Sequence, residues 1–409
     1  MKILNFGSCN IDYVYSMDHI VKVGETQTTY SLETFSGGKG LNQSIALARA
    51  GAEVYHAGCI GNDGEMLLDI LNESGVDTSF VKKVDEKNGH AIIQVSAKGE
   101  NSIFLYPGSN NMVTIEFIDE VLSHFGEGDI LLLQNEISNL TYIIEKAYKK
   151  KICIILNPSP INEVIEKIDF NMISYIILNE VEAEAISGSG IAEESIEILK
   201  KKYPQIKIML TLGGKGCVYA DSENNIYQKA FEVKAVDTTA AGDTFTGYFV
   251  RGVAEKECYE EILETASAAA AIAVSRKGAA PSIPARDEVI SALENMELIN
   301  TDVRTEHLCN LIYDYIEANI KDVTLEGLAE ELGYSVVYTG KLVKKIYGQT
   351  FSKLVQSQRC IRTAKLLLET DLSVNEIIKS VGYENESFMR KIFKEKYGKN
   401  PLEYRKRGK

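Results

Sequence analysis

The sequence predicts an α/β sandwich over most of its length and an all-α domain at its end. Three observations carry this reading. Up to about residue 300, short apolar runs alternate with longer amphipathic ones, the pattern of a parallel sheet covered by helices on both faces. Beyond that point strand signal fades, and short helical runs are separated by Gly333, Gly348, Gly382 and Gly398. The tail also repeats itself. Thr324 to Tyr334 aligns with Ser373 to Tyr383, and a basic helical run ending in Tyr-Gly follows each copy, which makes two helix–turn–helix units.

Residues 2–7 read as a buried strand, and strand-like runs recur at 91–97, 129–134, 152–156, 174–178 and 207–212. Amphipathic runs at 41–50, 64–74, 138–150, 191–202 and 257–275 read as the covering helices. The stretches 13–35 and 91–106 are more polar and alternate, as strands of a small flap beside the main sheet do. Pro284 and a polar helical stretch at 286–296 close this region. The expected organisation is an α/β domain over 1–296, a linker over 297–305 and a helical domain over 306–409.

Composition narrows the function classes. A chain of 409 residues, 45% hydrophobic, can fill more than one core. No long uncharged apolar run and no basic-then-apolar leader is present, so no membrane partner is expected. The seven cysteines form no CxxC pair and read as reduced thiols of a cytoplasmic protein. Residues 301–409 carry 19 Lys and Arg against 15 Asp and Glu, a net +4, whereas residues 1–300 carry 25 against 43, a net −18. An acidic body joined to a basic tail points to a polyanion meeting only the tail. A solvated helical domain is the other meaning of that charge.

The most telling motif is Asp237-Thr-Thr-Ala-Ala-Gly-Asp243-Thr-Phe. It places a small-residue turn before a helix start and a carboxylate just after the glycine. Unpaired N–H groups at a helix start hold anions, and an adjacent carboxylate can take a proton from an attacking hydroxyl. Transfer of a phosphoryl group from ATP to an alcohol needs both. A second glycine-rich turn, Ser36-Gly-Gly-Lys-Gly40-Leu-Asn42-Gln, also opens a helix, and it lacks Walker spacing.

Taken in order, the two motifs resemble the signatures of the ribokinase (PfkB) carbohydrate-kinase family. Other landmarks follow suit: Gly7-Ser-Cys-Asn10-Ile-Asp12, Gly61-Asn-Asp63, Gln134-Asn-Glu136, Asn157-Pro-Ser-Pro160, Asn179-Glu-Val-Glu182, Thr211-Leu-Gly-Gly-Lys-Gly216 and Arg276-Lys-Gly278-Ala-Ala-Pro-Ser282. The resemblance implies a three-layer sandwich with a small β lid, and it assigns roles. Asp243 is the base, and the backbone N–H groups of Ala240, Ala241 and Gly242 form the anion hole. Asn10, Asp12, Gly38, Lys39, Asn42 and Glu136 hold the sugar together with Asp243. Thr211, Gly213 and Gly216 line the ATP, with Ser267 near the adenine. Asn179 and Glu182 position Mg2+ through water. Asp237 and Thr239, with carbonyls at Val274 and Gly278, form a monovalent-cation site for K+. Asn10, Asp12 and Asn179 are also residue types that cap turns and helices. D-Ribose is the first choice of substrate, ahead of deoxyribose, another sugar or a nucleoside, and a homodimer through the flap is implied.

Residues 306–407 resemble the DNA-binding domain of the AraC family of transcription regulators. The carrying residues include Leu328 to Ser335, Phe351, Arg359, Arg362, Ile377 to Tyr383, Ser387, Phe388, Phe393 and Gly398 to Arg405, with Met389 where an aromatic core residue is usual. Double-stranded DNA is the implied partner. Tyr338, Thr339, Lys341, Lys344 and Lys345 are candidate contacts from a first recognition helix near 336–346. Asn385, Glu386, Ser387, Arg390, Lys391 and Lys394 are candidates from a second near 385–396. The expectation is a sugar kinase that also binds DNA to regulate transcription; the rival is a regulator that uses a kinase fold only as a sugar sensor.

Overall fold

The computed structural model describes residues 1–294, 296, 303–347, 349–370, 372–383 and 385–408, apart from the side chains of 303–310, Lys345, Ile346 and 406–408. It divides into two units, Met1–Ile299 and Asn300–Lys409.

The strands of the first unit are β1 (Ile3–Phe6), β2 (Asn10–Met17), β3 (Ser31–Gly37), β4 (Val54–Ile60), β5 (Asp77–Lys83), β6 (Gly89–Ser96), β7 (Asn101–Tyr106), β8 (Ile130–Gln134), β9 (Cys153–Asn157), β10 (Tyr175–Asn179), β11 (Lys207–Thr211), β12 (Cys217–Ala220) and β13 (Asn225–Gln228). The main sheet runs β13-β12-β11-β10-β9-β8-β1-β4-β5. All its pairings are parallel except those made by β12 and β13.

Side chains alternate across a strand, and both faces of this sheet are covered, so its central strands are apolar throughout. In β8, Ile130 and Leu132 join Leu41, Ile45 and Phe249 in one core. Leu131 and Leu133 join Ile118, Ile143 and Leu199 in the other. Helices Lys39–Arg49, Ala241–Glu255 and Tyr259–Val274 cover the first face, and Ile115–Leu122, Leu140–Lys149 and Ala192–Lys202 cover the second. Each fully buried Leu, Ile or Phe contributes roughly 1.5–3 kcal/mol of transfer free energy. The layers are therefore held mainly by this burial, with helix propensity secondary.

A second sheet, β3-β2-β6-β7, stands beside the first. The run at 91–97 belongs to it and not to the main sheet. Its root is where Asn10 pairs with both Gly37 and Gly89. Leu32, Ile103, Phe104, Leu105 and Tyr106 are exposed on it.

In the second unit the helices are Val303–Ala318, Leu325–Leu332, Val336–Tyr347, Phe351–Glu369, Val374–Ser380, Glu386–Tyr397 and Pro401–Gly408. Of the expected linker, 297–302 lie outside the described residues, and 303–305 are already helical. Thr324, Thr350, Ser373 and Asn385 cap their helices, Ser373 in a reciprocal box with Glu376. Gly333 and Gly382 close the first helix of each repeat with positive φ, 69° and 87°; Gly348 lies outside the described residues. Each repeat has its own small core, one around Ile312, Leu328 and Val343 and one around Ile377, Met389 and Phe393. Among the described residues no helix is long and apolar enough to cross a membrane, and the six described cysteines are free. Cys309 has its side chain outside the described residues.

Candidate active site

Polar residues end the apolar strands of the main sheet. Gln134 pairs with Asn157, and Asn179 pairs with Thr211, which in turn pairs with Cys217. This row lies at the carboxyl ends of parallel strands, where open α/β sheets bind ligands. Two helix starts meet it.

The first is Lys39–Arg49. Gly38 precedes it with φ of 93°, a conformation that favours glycine. Gly40 touches the chain after β1 so closely that a Cβ there would lie 2.3 Å from Ser8 N. That contact brings Asn42 and Gln43 into the site. The second is Ala241–Glu255, where no side chain caps the start and Ala240 is left-handed at φ of 60°. A non-glycine residue rarely adopts that conformation, and the turn it makes ties Ala241 N to Thr238 O at 3.3 Å. A Cβ on Gly242 would meet nothing within 4 Å.

Asp243 is buried and is held from the other helix. Asn42 Nδ2 donates to its Oδ2 at 3.1 Å, and Gln43 Nε2 donates to its Oδ1 at 2.9 Å. Asn42 Oδ1 is buried without a partner, which suits it to accept from a ligand hydroxyl. Lys39 also reaches this centre. Burial pulls its ammonium down most, but the charges of Asp243, Glu136 and Glu182 together outweigh that and leave its pKa above the usual value.

Glu136 accepts from the Lys39 backbone N–H at 3.1 Å and from the Ser8 hydroxyl. Burial raises its pKa more than these donors and the Lys39 charge lower it. Asp12 is pushed up to about 7, first by burial and then by Glu136. Asn10 Oδ1 accepts from Asn110 Nδ2 at 2.7 Å. A cavity of about 350 Å3 opens here, lined by Asn10, Tyr106, Asn110, Asn135, Glu136 and Asn162 among others. Asn10, Asp12, Gly38, Lys39, Asn42, Glu136 and Asp243 are thus linked by contacts or charge into one polar site.

The residues expected at the nucleotide and the metals fall into two further groups. Asn179 and Glu182 close a reciprocal capping box, with Glu182 N donating to Asn179 Oδ1 at 2.9 Å and Asn179 N to Glu182 Oε2 at 3.0 Å. The pair is therefore a helix cap, whatever else it does. Thr211 Oγ1 donates to Leu178 O at 3.1 Å, and Ser267 lies 3.6 Å from Cys217 Sγ, beside Gly216. Gly213 and Gly216 have positive φ, and a Cβ on Gly216 would lie 2.0 Å from Gln228 O. Gly216 is thus required by the hairpin itself. Asp237 Oδ1 accepts from Thr239 N and Oγ1, its Oδ2 accepts from Gly278 N at 3.0 Å, and its own N–H donates to Val274 O at 3.1 Å. Those four residues form one closed cluster. Among the described residues no group of three or more His, Cys, Asp or Glu side chains converges as on a metal ion.

Sequence reasoning quoted Ser8, Gln43, Gln134 and Asn157 within motifs without giving them a role and missed Asn110; all five hold the expected residues in place. An amide ending an otherwise apolar strand, as Gln134 does, is the signal available for two of them.

In the second unit, Tyr338, Lys341 and Lys344 are exposed on the first recognition helix, and the Lys345 side chain lies outside the described residues. Thr339 corrects an expectation: it is fully buried and donates to Ser335 O at 3.0 Å, so it faces the core. On the second recognition helix Ser387, Lys391 and Lys394 are exposed. Asn385 Oδ1 caps that helix, and Arg390 donates to Asn375 Oδ1 at 2.7 Å. Glu386 opens the helix, part-buried.

Known proteins bear on both units. The model of the pfkB family carbohydrate kinases matches residues 1–286, and a helix-turn-helix domain model matches residues 328–407. A ribokinase of Haemophilus influenzae is 36% identical over 298 residues, covering 71% of this chain and 97% of that protein. A crystal structure of ribokinase from Cryptococcus neoformans in complex with ADP superposes with a TM-score of 0.64 at 31% identity, over 71% of this chain and 99% of that one. The structure of Arabidopsis thaliana ribokinase complexed with ribose and ATP gives 0.64 at 29% identity, over 72% and 98%. With the sandwich, the β lid and the paired helix starts in place, the chain belongs to the pfkB family of carbohydrate kinases, an ATP-dependent sugar kinase of ribokinase type carrying a C-terminal AraC-type helix-turn-helix domain.

Proposed function

We propose that the first unit transfers the γ-phosphoryl group of ATP to a hydroxyl of D-ribose, giving ribose 5-phosphate, and that the second binds double-stranded DNA to regulate transcription. The observation that carries the kinase reading is the Asp243 carboxylate. It stands in the first turn of an uncapped helix and is gripped by Asn42 and Gln43 of the other helix start. Asp243 takes the proton of the attacking hydroxyl. The backbone N–H groups of Ala240, Ala241 and Gly242 stabilise charge developing on the phosphoryl oxygens. Asn10, Asp12, Gly38, Lys39, Asn42 and Glu136 orient the sugar, each polar side chain answering a hydroxyl that both donates and accepts.

The nucleotide lies along Thr211, Gly213, Gly216 and Ser267. Asn179 and Glu182 fit Mg2+ only at one remove, since their polar atoms are engaged with each other. Mg2+ keeps most of its waters, and when bound it neutralises phosphate charge. Asp237, Thr239, Val274 and Gly278 would hold K+, and the hydrogen bonds of Asp237 to the other three keep them together. The exposed apolar residues of the small sheet support a homodimer through it, measurable by sedimentation.

For the second unit, Lys341, Lys344, Lys345, Lys391 and Lys394 neutralise phosphate, and Tyr338, Asn385, Ser387 and Arg390 stand near base edges. ADP release from purified full-length chain, measured over a panel of pentoses, hexoses and nucleosides beside Asp243→Asn, tests the kinase reading. Turnover with ribose that vanishes in the variant supports it. Sugar-induced thermal stabilisation without turnover in either protein would make the first unit a sensor.

A further inference from the structure

We infer that Gln43 is a positioning residue for phosphoryl transfer: a chain of buried amides fixes its orientation so that it can only donate to Asp243, which keeps that side chain an acceptor. The inference rests on the reading of Asp243 as the base.

Gln43 is fully buried, and its amide is constrained from two sides. On one side, Asn5 Nδ2 donates to the Gly40 carbonyl at 2.7 Å and to Ser44 Oγ at 2.8 Å. A backbone carbonyl can only accept, so Asn5 Oδ1 must face outward as an acceptor. It takes the Gln134 amide at 2.9 Å, and Gln134 Nε2 also donates to Gln43 Oε1 at 2.7 Å. On the other side, Asn157 Nδ2 donates to the Ile177 carbonyl at 3.0 Å. Its Oδ1 is thereby an acceptor, and Gln43 Nε2 lies 3.3 Å from it. Two backbone carbonyls, Gly40 in the helix Lys39–Arg49 and Ile177 on β10, thus set the same polarity. Gln43 Oε1 is occupied, and Nε2 must present its hydrogens to Asn157 and to Asp243 Oδ1.

A protonated carboxyl turned to that position would set O–H against N–H. The network therefore holds Oδ1 as an acceptor toward Gln43 and leaves Oδ2, shared with Asn42, as the oxygen beside the site. The charged groups acting on this centre are Lys39, on the same helix as Gln43, and Glu136, after β8; Glu182 acts on Lys39. His56, reached through Ser44, is held neutral by burial, down to about 4.

The test is the pH–rate profile of full-length Gln43→Glu and Gln43→Met with Mg-ATP and D-ribose, alongside wild type and Asp243→Asn. Gln43→Glu still accepts from Gln134 but sets a second carboxyl against Asp243, and two carboxyls at that spacing share one proton. The acid limb of kcat then moves up by about one pH unit or more, kcat at neutral pH falls about tenfold or more, and ribose KM stays within about threefold. Gln43→Met keeps the length but donates nothing, and it moves the limb the same way by less; it serves if the glutamate variant does not fold. A folded variant with the wild-type pH profile, or one losing kcat and KM equally at every pH, overturns the inference. If Asp243→Asn keeps turnover, the base assignment fails instead.

Discussion

Asp12 lies so close to Gly37 that any Cβ at position 37 would stand 2.1 Å from Asp12 Oδ2. The two residues come from β2 and β3, at the root of the small sheet, where Asn10 pairs with Gly37. Gly37 does not have positive φ, so alanine can take its backbone. The clash is with a side-chain tip that can swing aside. Gly37→Ala should therefore fold normally and displace only Asp12. Losing one charged hydrogen bond to the sugar is worth roughly 1.5–3 kcal/mol, so ribose KM should rise about 10- to 100-fold while kcat changes little. Steady-state kinetics beside a thermal melt check this. An unchanged KM would remove Asp12 from the sugar site.

The raised pKa of Asp12 also predicts a pH-dependent stability. Its folded-state value is about 7, against 3.8 for the free group. The folded chain thus binds this proton more tightly than the unfolded chain. The sign follows: the contribution is most favourable at low pH and is lost as pH rises toward about 7. Asp12→Asn removes the group. Its Tm should match wild type near pH 4, gain on it between about pH 4 and 7, and hold a constant advantage above that. A Tm difference that does not vary with pH would mean that Asp12 is not held in this way.

Two glycines separate packing from chemistry. Gly40 abuts the backbone of Gly7 and Ser8, with a Cβ contact as short as 2.3 Å. Gly40→Ala must push two chain segments apart and should cost on the order of 1–3 kcal/mol of stability along with activity. Gly242 has free space around it, and alanine suits a helix start better than glycine. Gly242→Ala should melt at or slightly above the wild-type temperature and still lose about 100-fold or more in kcat if the methyl group stands where the proposed phosphoryl transfer takes place. Differential scanning calorimetry and kinetics on both variants would show whether the losses divide in this manner.

Much of this arrangement is legible in the sequence because it depends on local signals. The Ile-Leu-Leu-Leu run of β8 announces a strand buried on both faces, and Gly38 and Gly40 announce a turn that must be crossed closely. β5 is less visible: it is an edge strand, and Asp77-Thr-Ser-Phe-Val-Lys-Lys carries no continuous apolar run. The positioning residues are hidden for another reason. Gln43 and Asp243 are 200 positions apart, and nothing near either one reveals that the fold brings their side chains together. Thr339 misleads in the opposite sense. It lies between Tyr338 and Lys341 on a recognition helix, yet the 3.6-residue period turns it inward.

The second unit depends on Arg359, and this gives the last prediction. From the long helix Phe351–Glu369 its guanidinium donates to three backbone carbonyls: Ile320 O at 2.9 Å, Lys321 O at 2.9 Å and Gly382 O at 3.1 Å. It also stacks over Tyr383 at 5.2 Å. Ile320 and Lys321 precede the first helix–turn–helix unit, and Gly382 lies in the turn of the second. One side chain thus fixes the two recognition helices relative to each other. Lysine cannot reproduce a planar fork that serves three acceptors. Arg359→Lys should lower stability by about 1.5–3 kcal/mol, as expected for losing charge-assisted bonds to part-exposed backbone carbonyls. Duplexes selected by the wild type from a random pool allow the functional part to be measured. If both helices must engage at once, Arg359→Lys should bind the selected duplex at least about tenfold more weakly but keep the wild-type salt slope, because the lysines proposed to meet phosphate remain. Lys341→Ala with Lys344→Ala should instead flatten the salt slope by about 1–2 without a large loss of stability. Equal salt slopes in all three proteins would place the phosphate contacts elsewhere on the unit.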